Sequence, residues 1–352
     1  MGISRKIRSI AAGRDLARHS GPARLAEVAR ASEWWEFKLV PLFAMFYATA
    51  LVAGAPLHDL GWAALTLMAA IVPGAAYVSI VNDLTDRKED AAAGKANRLA
   101  NRSGAAVALL IAVPISIGLF FAWTWRNDLT LLLPYLAAWA AFTLYSVPPF
   151  RLKTRGVAGV LADASGAHLF PTLVAVMLVI RSAGVEANAV WLAASSLWAL
   201  AYGLRGIIWH QLLDDEADRR AAVDTFVQRS ERRSIIILAR WIIFPIELCA
   251  FSILLSQMPS WLPILFLGGY GIMVRRKLKL FRLDAVIVEP KERHLIILNE
   301  YYDLFLPLAL LVACAWRWPW DAAALLLHFL LFPRRLVQTS QDMWKLRPFQ
   351  RR

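Results

Sequence analysis

Residues 61–81, GWAALTLMAAIVPGAAYVSIV, run straight into residues 82–90, NDLTDRKED, and this junction decides how the chain is read. The first segment carries no charge. At about 1.5 Å per residue it is about 30 Å long, the thickness of a bilayer's hydrocarbon core. The second segment is dense with Asp, Glu, Arg and Lys, as expected where a membrane helix meets water. Similar apolar runs occupy 36–54, 105–123, 130–147, 157–180, 189–208, 236–256, 261–274 and 294–315, with a shorter one at 321–332. Of 352 residues, 59% are hydrophobic and 18% charged, whereas soluble domains are about 45–50% apolar and about 25% charged. Mean hydropathy is +0.49. Disorder, collagen and a small disulfide scaffold are excluded. The expected fold is an all-α polytopic membrane protein.

The formal charge of +13 raises the question of nucleic acid. Alternating sides from a cytoplasmic N-terminus makes 1–35, 82–104, 148–156, 205–235, 275–293 and 333–352 cytoplasmic. These segments hold 34 of the 39 Lys and Arg residues, and the opposite loops hold only Arg126, Arg181 and Arg317. Positive charge is retained on the cytoplasmic side, so topology accounts for the basicity and no nucleic-acid partner is expected. The chain reads as an integral protein of the inner (cytoplasmic) membrane, in contact with its lipids. Its expected organisation is a basic N-terminal segment at 1–32, one transmembrane unit at 33–332 and a basic tail at 333–352. The N-terminal cations Arg5, Lys6, Arg8, Arg14, Arg18, Arg24 and Arg30 suit the anionic inner leaflet. No cleavable signal peptide is expected, because no apolar h-region opens the chain. Cys249 and Cys314 lie in apolar runs and read as small core residues. Run 321–332 is either a short tenth crossing or a re-entrant segment.

The chemistry lies in the cytoplasmic loops. Asp83, Asp86 and Asp90 follow Asn82 at spacings that place them on one helix face. Asp214 and Asp218, four residues apart, repeat this after the sixth run, with His210 one turn earlier. Four runs separate the two clusters, which suggests two similar four-helix halves that offer carboxylates at one membrane face. Facing carboxylates suit Mg²⁺, which bridges protein oxygen to substrate phosphate. Lys95, Arg98, Arg151, Lys153 and Arg205 are cations suited to a diphosphate leaving group. The expected metal ligands are therefore Asp83, Asp86, Asp90, Asp214 and Asp218, holding two or more Mg²⁺ ions.

Asn82-Asp83-x-x-Asp86-x-x-x-Asp90 resembles the first motif of the UbiA superfamily of intramembrane prenyltransferases, and Asp214-x-x-x-Asp218 its second. Tyr145-Ser146-Val147-Pro148-Pro149-Phe150-Arg151-Leu152-Lys153 is similar to the family's tyrosine–proline–basic segment. The resemblance implies about nine transmembrane helices around a central cavity under a cytoplasmic cap. It also implies Mg²⁺ and a polyprenyl diphosphate bound there, and alkylation of a lipophilic or aromatic acceptor. Asn82, Tyr145, Arg151 and Lys153 then fall at the diphosphate. Two positions depart from the family pattern: Leu99 follows Asn97-Arg98 where Pro is familiar, and Ala222 stands where a third Asp would extend the second motif, with Asp224 displaced.

Within the fifth run, Asp163 and His168 are ionisable groups at membrane depth. Each either handles the acceptor, by orienting its hydroxyl or taking its proton, or makes an interhelical hydrogen bond worth about 0.6 kcal/mol. Glu247, Glu300 and Asp303 are weaker candidates. The small residues of 156–167 read as helix packing. Prenyl transfer is the leading expectation. The alternatives are phosphoribosyl transfer from a soluble diphosphate donor to a polyprenyl phosphate, and a cation-coupled transporter. The charge bias yields a direct test: cysteines introduced beside Arg98 and Arg229 will react with an impermeant thiol reagent only from the cytoplasmic side. Labelling from the opposite face contradicts the orientation.

Overall fold

The computed structural model describes residues 26–92, 94 and 97–345. Lys95, the basic residues between Arg5 and Arg24 and the last residues of the tail lie outside this set. In chain order the helices are α1 (Ala31–Ala53), α2 (Gly61–Thr85), the short α3 (Arg87–Ala92), α4 (Gly104–Thr124) and α5 (Leu129–Ser146). They continue with α6 (Val157–Ala183), α7 (Ala189–Arg220), the single turn α8 (Phe226–Arg229), α9 (Arg232–Gln257) and α10 (Leu262–Phe281). Last come α11 (Leu306–Arg317), α12 (Ala322–Leu331) and α13 (Pro333–Lys345). Six of them, α1, α2, α4, α5, α6 and α9, are long and apolar enough to cross a membrane. The chain is an all-α integral membrane protein. Its centre is formed by α1 and α6, whereas α4 and α5 turn Leu109, Leu119, Phe120 and Leu133 outward. Hydrocarbon accepts such side chains at no cost, so these are lipid-facing surfaces.

Helix α7, outside those six, explains how carboxylates are carried away from the apolar core. Its 32 residues are about 48 Å long, well beyond the hydrocarbon core. The apolar run at 189–208 fills the first part, and the rest projects outward with Asp214 and Asp218. Asn188 caps its start by accepting from the Val190 and Trp191 amides at 2.9 and 3.1 Å.

Proline and glycine shape the interior. A π turn at Ser165–Leu169 precedes Pro171, another at Ala239–Ile243 precedes Pro245, and a third at Tyr301–Phe305 precedes Pro307. A proline lacks the amide that would bond the preceding turn, and the wider turn accommodates the loss. At Gly203 of α7, a Cβ would lie 2.9 Å from the Ala164 carbonyl and 3.0 Å from the His168 ring. Glycine therefore sets the close approach of α7 to α6.

Three boundaries differ from the sequence reading. The run at 294–315 does not begin as a helix. His294–Ile296 pairs in parallel with Asp284–Val286 as β2 and β1, and left-handed Leu298 (φ 67°) separates β2 from the helical turns that start at Tyr301. Helix α10 runs past 274 to Phe281, because Lys277 is buried against Glu300 at 2.8 Å. The segment at 321–332 is tied to α1 near both ends. Buried Asp321 accepts from the Leu57 and His58 amides beyond the C-terminus of α1, and Trp35 near its N-terminus donates to the Leu331 carbonyl at 2.8 Å. Glu36 then caps α13, accepting from the Arg334 and Arg335 amides at 2.7 and 3.0 Å.

Arg205 is a structural cation in this core. Its guanidinium makes a bidentate pair with Glu247 of α9 (2.6 and 2.9 Å), and the remaining nitrogen donates to the Ile297 carbonyl at 3.2 Å. Arg205 is 2% exposed and Glu247 0%. Losing one member of a buried pair strands the other. We predict that Glu247→Leu lowers stability by about 3–5 kcal/mol in thermal unfolding in detergent. The double change Arg205→Met/Glu247→Leu will recover most of that loss. Equal instability of both variants would contradict the assignment.

Candidate active site

Helix α2 ends at Thr85, where Asp86 caps it and α3 restarts the chain. This break presents the first carboxylate cluster as a bent ledge. Asp83 is fully buried; one oxygen is paired with Arg30, and Oδ2 has no hydrogen-bond partner. Arg30 reaches it from a left-handed backbone position (φ 53°) just before α1. Asn82 accepts from Ser146, which ties the ledge to the end of α5. Asn97 donates to the Asp83 carbonyl at 2.6 Å and to Asp90 Oδ2 at 2.8 Å, folding the following loop back onto the cluster. Leu99, at the position where the family pattern has proline, is buried in a patch with Val28, Ile80 and Val107.

The loop after α5 supplies cations. Arg151 is left-handed (φ 40°), and Leu152–Thr154 forms a single 3₁₀ turn. The Arg151 guanidinium lies 3.2 Å from Asp86 and 2.9 Å from Glu89, and the Lys153 ammonium also pairs with Asp86. Gly159 allows this loop to sit on α6, since a Cβ there would meet the Leu152 carbonyl at 2.5 Å. Left-handed non-glycine backbone at two arginines, Arg30 aimed at Asp83 and Arg151 at Asp86 and Glu89, marks a place where geometry is held against local preference. Burial pulls the Lys153 pKa below its ordinary value despite Asp86. The hydrogen bond from Arg151 holds Glu89 below the usual carboxylate range.

From the other side, α7 brings Asp214 and Asp218. Left-handed Ala222 (φ 52°) ends this helix, and Asp224 turns away to Arg229 at 2.6 Å. A third Asp at 222 would thus stand in a turn and not on the carboxylate face.

These parts meet around one polar cavity of about 280 Å³, lined by Asn82, Asp86, Asp90, Lys153, Asp214 and Asp218, with Tyr145 and His210 also on its wall. One to three turns deeper on the same helices lies an apolar cavity of about 180 Å³, with Tyr77, Tyr135, Trp139 and Phe142 on its walls and Lys38 and Asp163 among its lining. Of the sequence-derived residues, Asp83 and Arg151 stand behind this wall, Asp83 paired with Arg30 and Arg151 with Asp86 and Glu89, while Asp163 lines the deeper cavity; three others remain. Arg98 reaches Glu33 at 2.7 Å, Arg205 is turned to Glu247, and Lys95 is outside the described residues. Helical phase explains Arg205: nine residues before Asp214, at about 100° each, put it on the opposite face. His210, four residues before, shares the face.

Sequence reasoning missed Arg30, Glu89, Asn97 and Lys38. Arg30 was counted only as part of a basic segment. The apolar run at 36–54 puts Lys38 at a helix start, but α1 begins at Ala31, two turns earlier.

Among the described residues, no three His, Cys, Asp or Glu side chains converge tightly enough to hold a metal ion unaided. The donor chemistry still fits Mg²⁺. The oxygens are hard carboxylates, and Asp83 Oδ2 and Glu89 Oε2 are buried without partners. Burial, reinforced by the neighbouring Asp86 and Asp83 charges, raises the Asp90 pKa, so added positive charge is favourable there. Mg²⁺ commonly takes one or two protein carboxylates and completes its shell with water and substrate phosphate.

Comparison with known proteins adds three findings. The model of the UbiA prenyltransferase family matches residues 40–286. Solved structures of a UbiA homologue from Archaeoglobus fulgidus share the fold. The form bound to Cd²⁺ gives a TM-score of 0.55 at 16% identity, over 83% of this chain and 98% of that one. The form bound to DMAPP and Mg²⁺ gives 0.54 at 15% identity, over 84% and 98%. The form bound to GPP and Mg²⁺ gives 0.52 at 15% identity, again over 84% and 98%. No curated protein matches the chain. The family match takes in the ends of α2, α5 and α7, the same three ends that build the polar cavity, and the chain belongs to the UbiA prenyltransferase family.

Proposed function

We propose that this chain transfers a polyprenyl group from an allylic polyprenyl diphosphate to a lipophilic acceptor, with Mg²⁺, at the cytoplasmic edge of the inner membrane. The observation that carries this reading is the stacking of a polar cavity, rich in carboxylates and bearing Lys153, directly over an aromatic-walled apolar cavity. A prenyl diphosphate has the same two-part character. The homologue's complexes with GPP, DMAPP and Mg²⁺ support it.

Each group has a physical task. Asp83, Asp86, Asp90, Asp214 and Asp218 would hold Mg²⁺, which when bound neutralises the diphosphate as a leaving group. Lys153 and Arg151 bind diphosphate oxygens through charge-assisted contacts, and Tyr145 adds a hydroxyl at the cavity wall. Trp139, Phe142 and Tyr135 exclude water from the carbon skeleton, protecting an allylic centre from hydrolysis. Phosphoribosyl transfer would use the same carboxylates and is distinguished by offering both donors. The transporter reading gives way to family membership, and the buried Arg205–Glu247 charges neutralise each other instead of lining a path.

Two predictions follow from this arrangement. Asp83→Asn and Asp214→Asn keep side-chain size but remove charge. Each will lower divalent-dependent turnover by roughly 100-fold or more; the unfolding temperature will hold in Asp214→Asn and fall in Asp83→Asn, which strands the Arg30 charge. Unchanged turnover in either variant contradicts a site shared by both clusters. Lys153→Ala will weaken binding of donor and of free diphosphate alike by about 1.5–3 kcal/mol, measured by equilibrium binding. Undiminished affinity would remove Lys153 from the diphosphate site.

A further inference from the structure

Arg205 and Arg30 each meet a fully buried carboxylate, but their contacts differ. Arg205 grips Glu247 with two nitrogens and gives its third to the Ile297 carbonyl. Arg30 holds Asp83 by Nη2 alone; its Nη1 lies 3.5 Å from Glu33, and its Nε is buried without a partner. Asp83 is half-used as well. Its Oδ1 takes the guanidinium, while Oδ2 is buried and unpaired. The arginine also stands between this carboxylate and the polar cavity. Arg30 is on the cavity wall, whereas Asp83, 0% exposed, is behind it. The backbone that aims the side chain is left-handed, a conformation disfavoured for arginine. Such a one-pronged pair has little to hold it against a stronger cation. Glu33, half exposed at the start of α1, gives the guanidinium a second position, since it already joins Arg30 to Arg98.

Resting on the reading of the polar cavity as a Mg²⁺–diphosphate site, we infer that Arg30 is an exchangeable cation: it yields Asp83 to Mg²⁺ and turns, pivoting on Glu33, to an oxygen of the diphosphate. Asp83 then has a positive partner before and after the exchange, so its buried charge is never stranded. The exchange reconciles two features of Asp83, its burial behind an arginine and its place among the carboxylates suited to metal. It also couples the two ligands. Metal alone must leave the guanidinium with Glu33, which Arg98 already holds at 2.7 Å. Metal together with diphosphate gives that guanidinium a strongly anionic partner. Mg²⁺ and diphosphate therefore strengthen each other through Arg30, and by linkage they do so equally.

The test uses the full chain in lipid nanodiscs, titrated calorimetrically with Mg²⁺ alone and with inorganic diphosphate at saturating Mg²⁺. Arg30→Gln will bind Mg²⁺ alone roughly ten-fold more tightly than the wild-type chain, because no cation has to leave Asp83. It will bind diphosphate roughly ten-fold more weakly. An arginine that only braces the fold would leave both affinities unchanged or weaken both. An Asp83→Asn background separates exchange from a general charge effect. With no carboxylate to yield, Arg30→Gln will there change Mg²⁺ affinity by no more than about two-fold. A tightening that persists in that background overturns the inference, as does unchanged or weaker Mg²⁺ binding in Arg30→Gln itself. Should Arg30→Gln fail to fold, Arg30→Lys decides by the same two titrations. It keeps the charge but shortens the reach, so Mg²⁺ must again bind more tightly and diphosphate more weakly, and any other result contradicts the exchange. The wild-type titrations separate the two levels. Binding of neither ligand counts against the Mg²⁺–diphosphate reading and takes the exchange with it, whereas binding of both with insensitive variants counts against the exchange alone.

Discussion

Carboxylates from two distant parts of the chain share one cavity at the membrane edge, and such a concentration of like charge must be compensated. The surrounding structure follows from this constraint. Arg30 neutralises Asp83, while Lys153 and Arg151 neutralise Asp86 and Glu89. Both arginines adopt left-handed backbone to do so. Electrostatic demand thus reaches back to chain geometry: the turn before α1 and the loop after α5 are bent to deliver cations. The same demand suits the cavity to a ligand that brings divalent metal and phosphate together, because hard oxygen donors, buried and close, favour added positive charge.

The membrane segments serve this site by holding their ends in register. Helix α7 packs its first part in the core and carries its aspartates beyond it, whereas α2 breaks at Asp86 and folds its carboxylates sideways. Close approach at Gly203 and Gly159 brings α7 and the basic loop against α6. Elsewhere charge is buried for architecture. Arg205 and Glu247 satisfy each other and tie α7 to α9 and to the segment around β1 and β2. Position in the helical repeat, more than distance along the chain, decides which charged residue belongs to chemistry and which to the frame.

Much of this was legible in the residues. Apolar runs ending in carboxylates located α2 and α7, and the spacing of Asp214 and Asp218 put them on one face of α7; the first cluster is not one helix face, because α2 ends at Thr85 and leaves Asp83 buried behind the cavity that Asp86, Asp90, Asp214 and Asp218 line. The two departures from the family pattern also have local causes, since Leu99 fills an apolar patch and Ala222 sits where a left-handed turn ends α7. Arg205 was misplaced because its position in sequence was read without its phase. Lys38 was missed because hydropathy places the start of α1 too late, which hides the depth of its side chain. The strand at His294–Ile296 was unreadable as such: its apolar residues match a membrane helix in composition, and only pairing with Asp284–Val286 distinguishes them. The partnership of His168 with Lys38 depends on a π turn and on contacts 130 residues apart in sequence, which no local pattern encodes.

The central claim is that metal and prenyl diphosphate enter the polar cavity together. It is tested most directly by equilibrium binding of geranyl S-thiolodiphosphate, a poorly ionised donor analogue, to the purified chain in nanodiscs across a Mg²⁺ titration. The account predicts that affinity rises with Mg²⁺ and collapses when EDTA is added. Tight binding that is indifferent to EDTA, or no binding at any Mg²⁺ concentration, would contradict it.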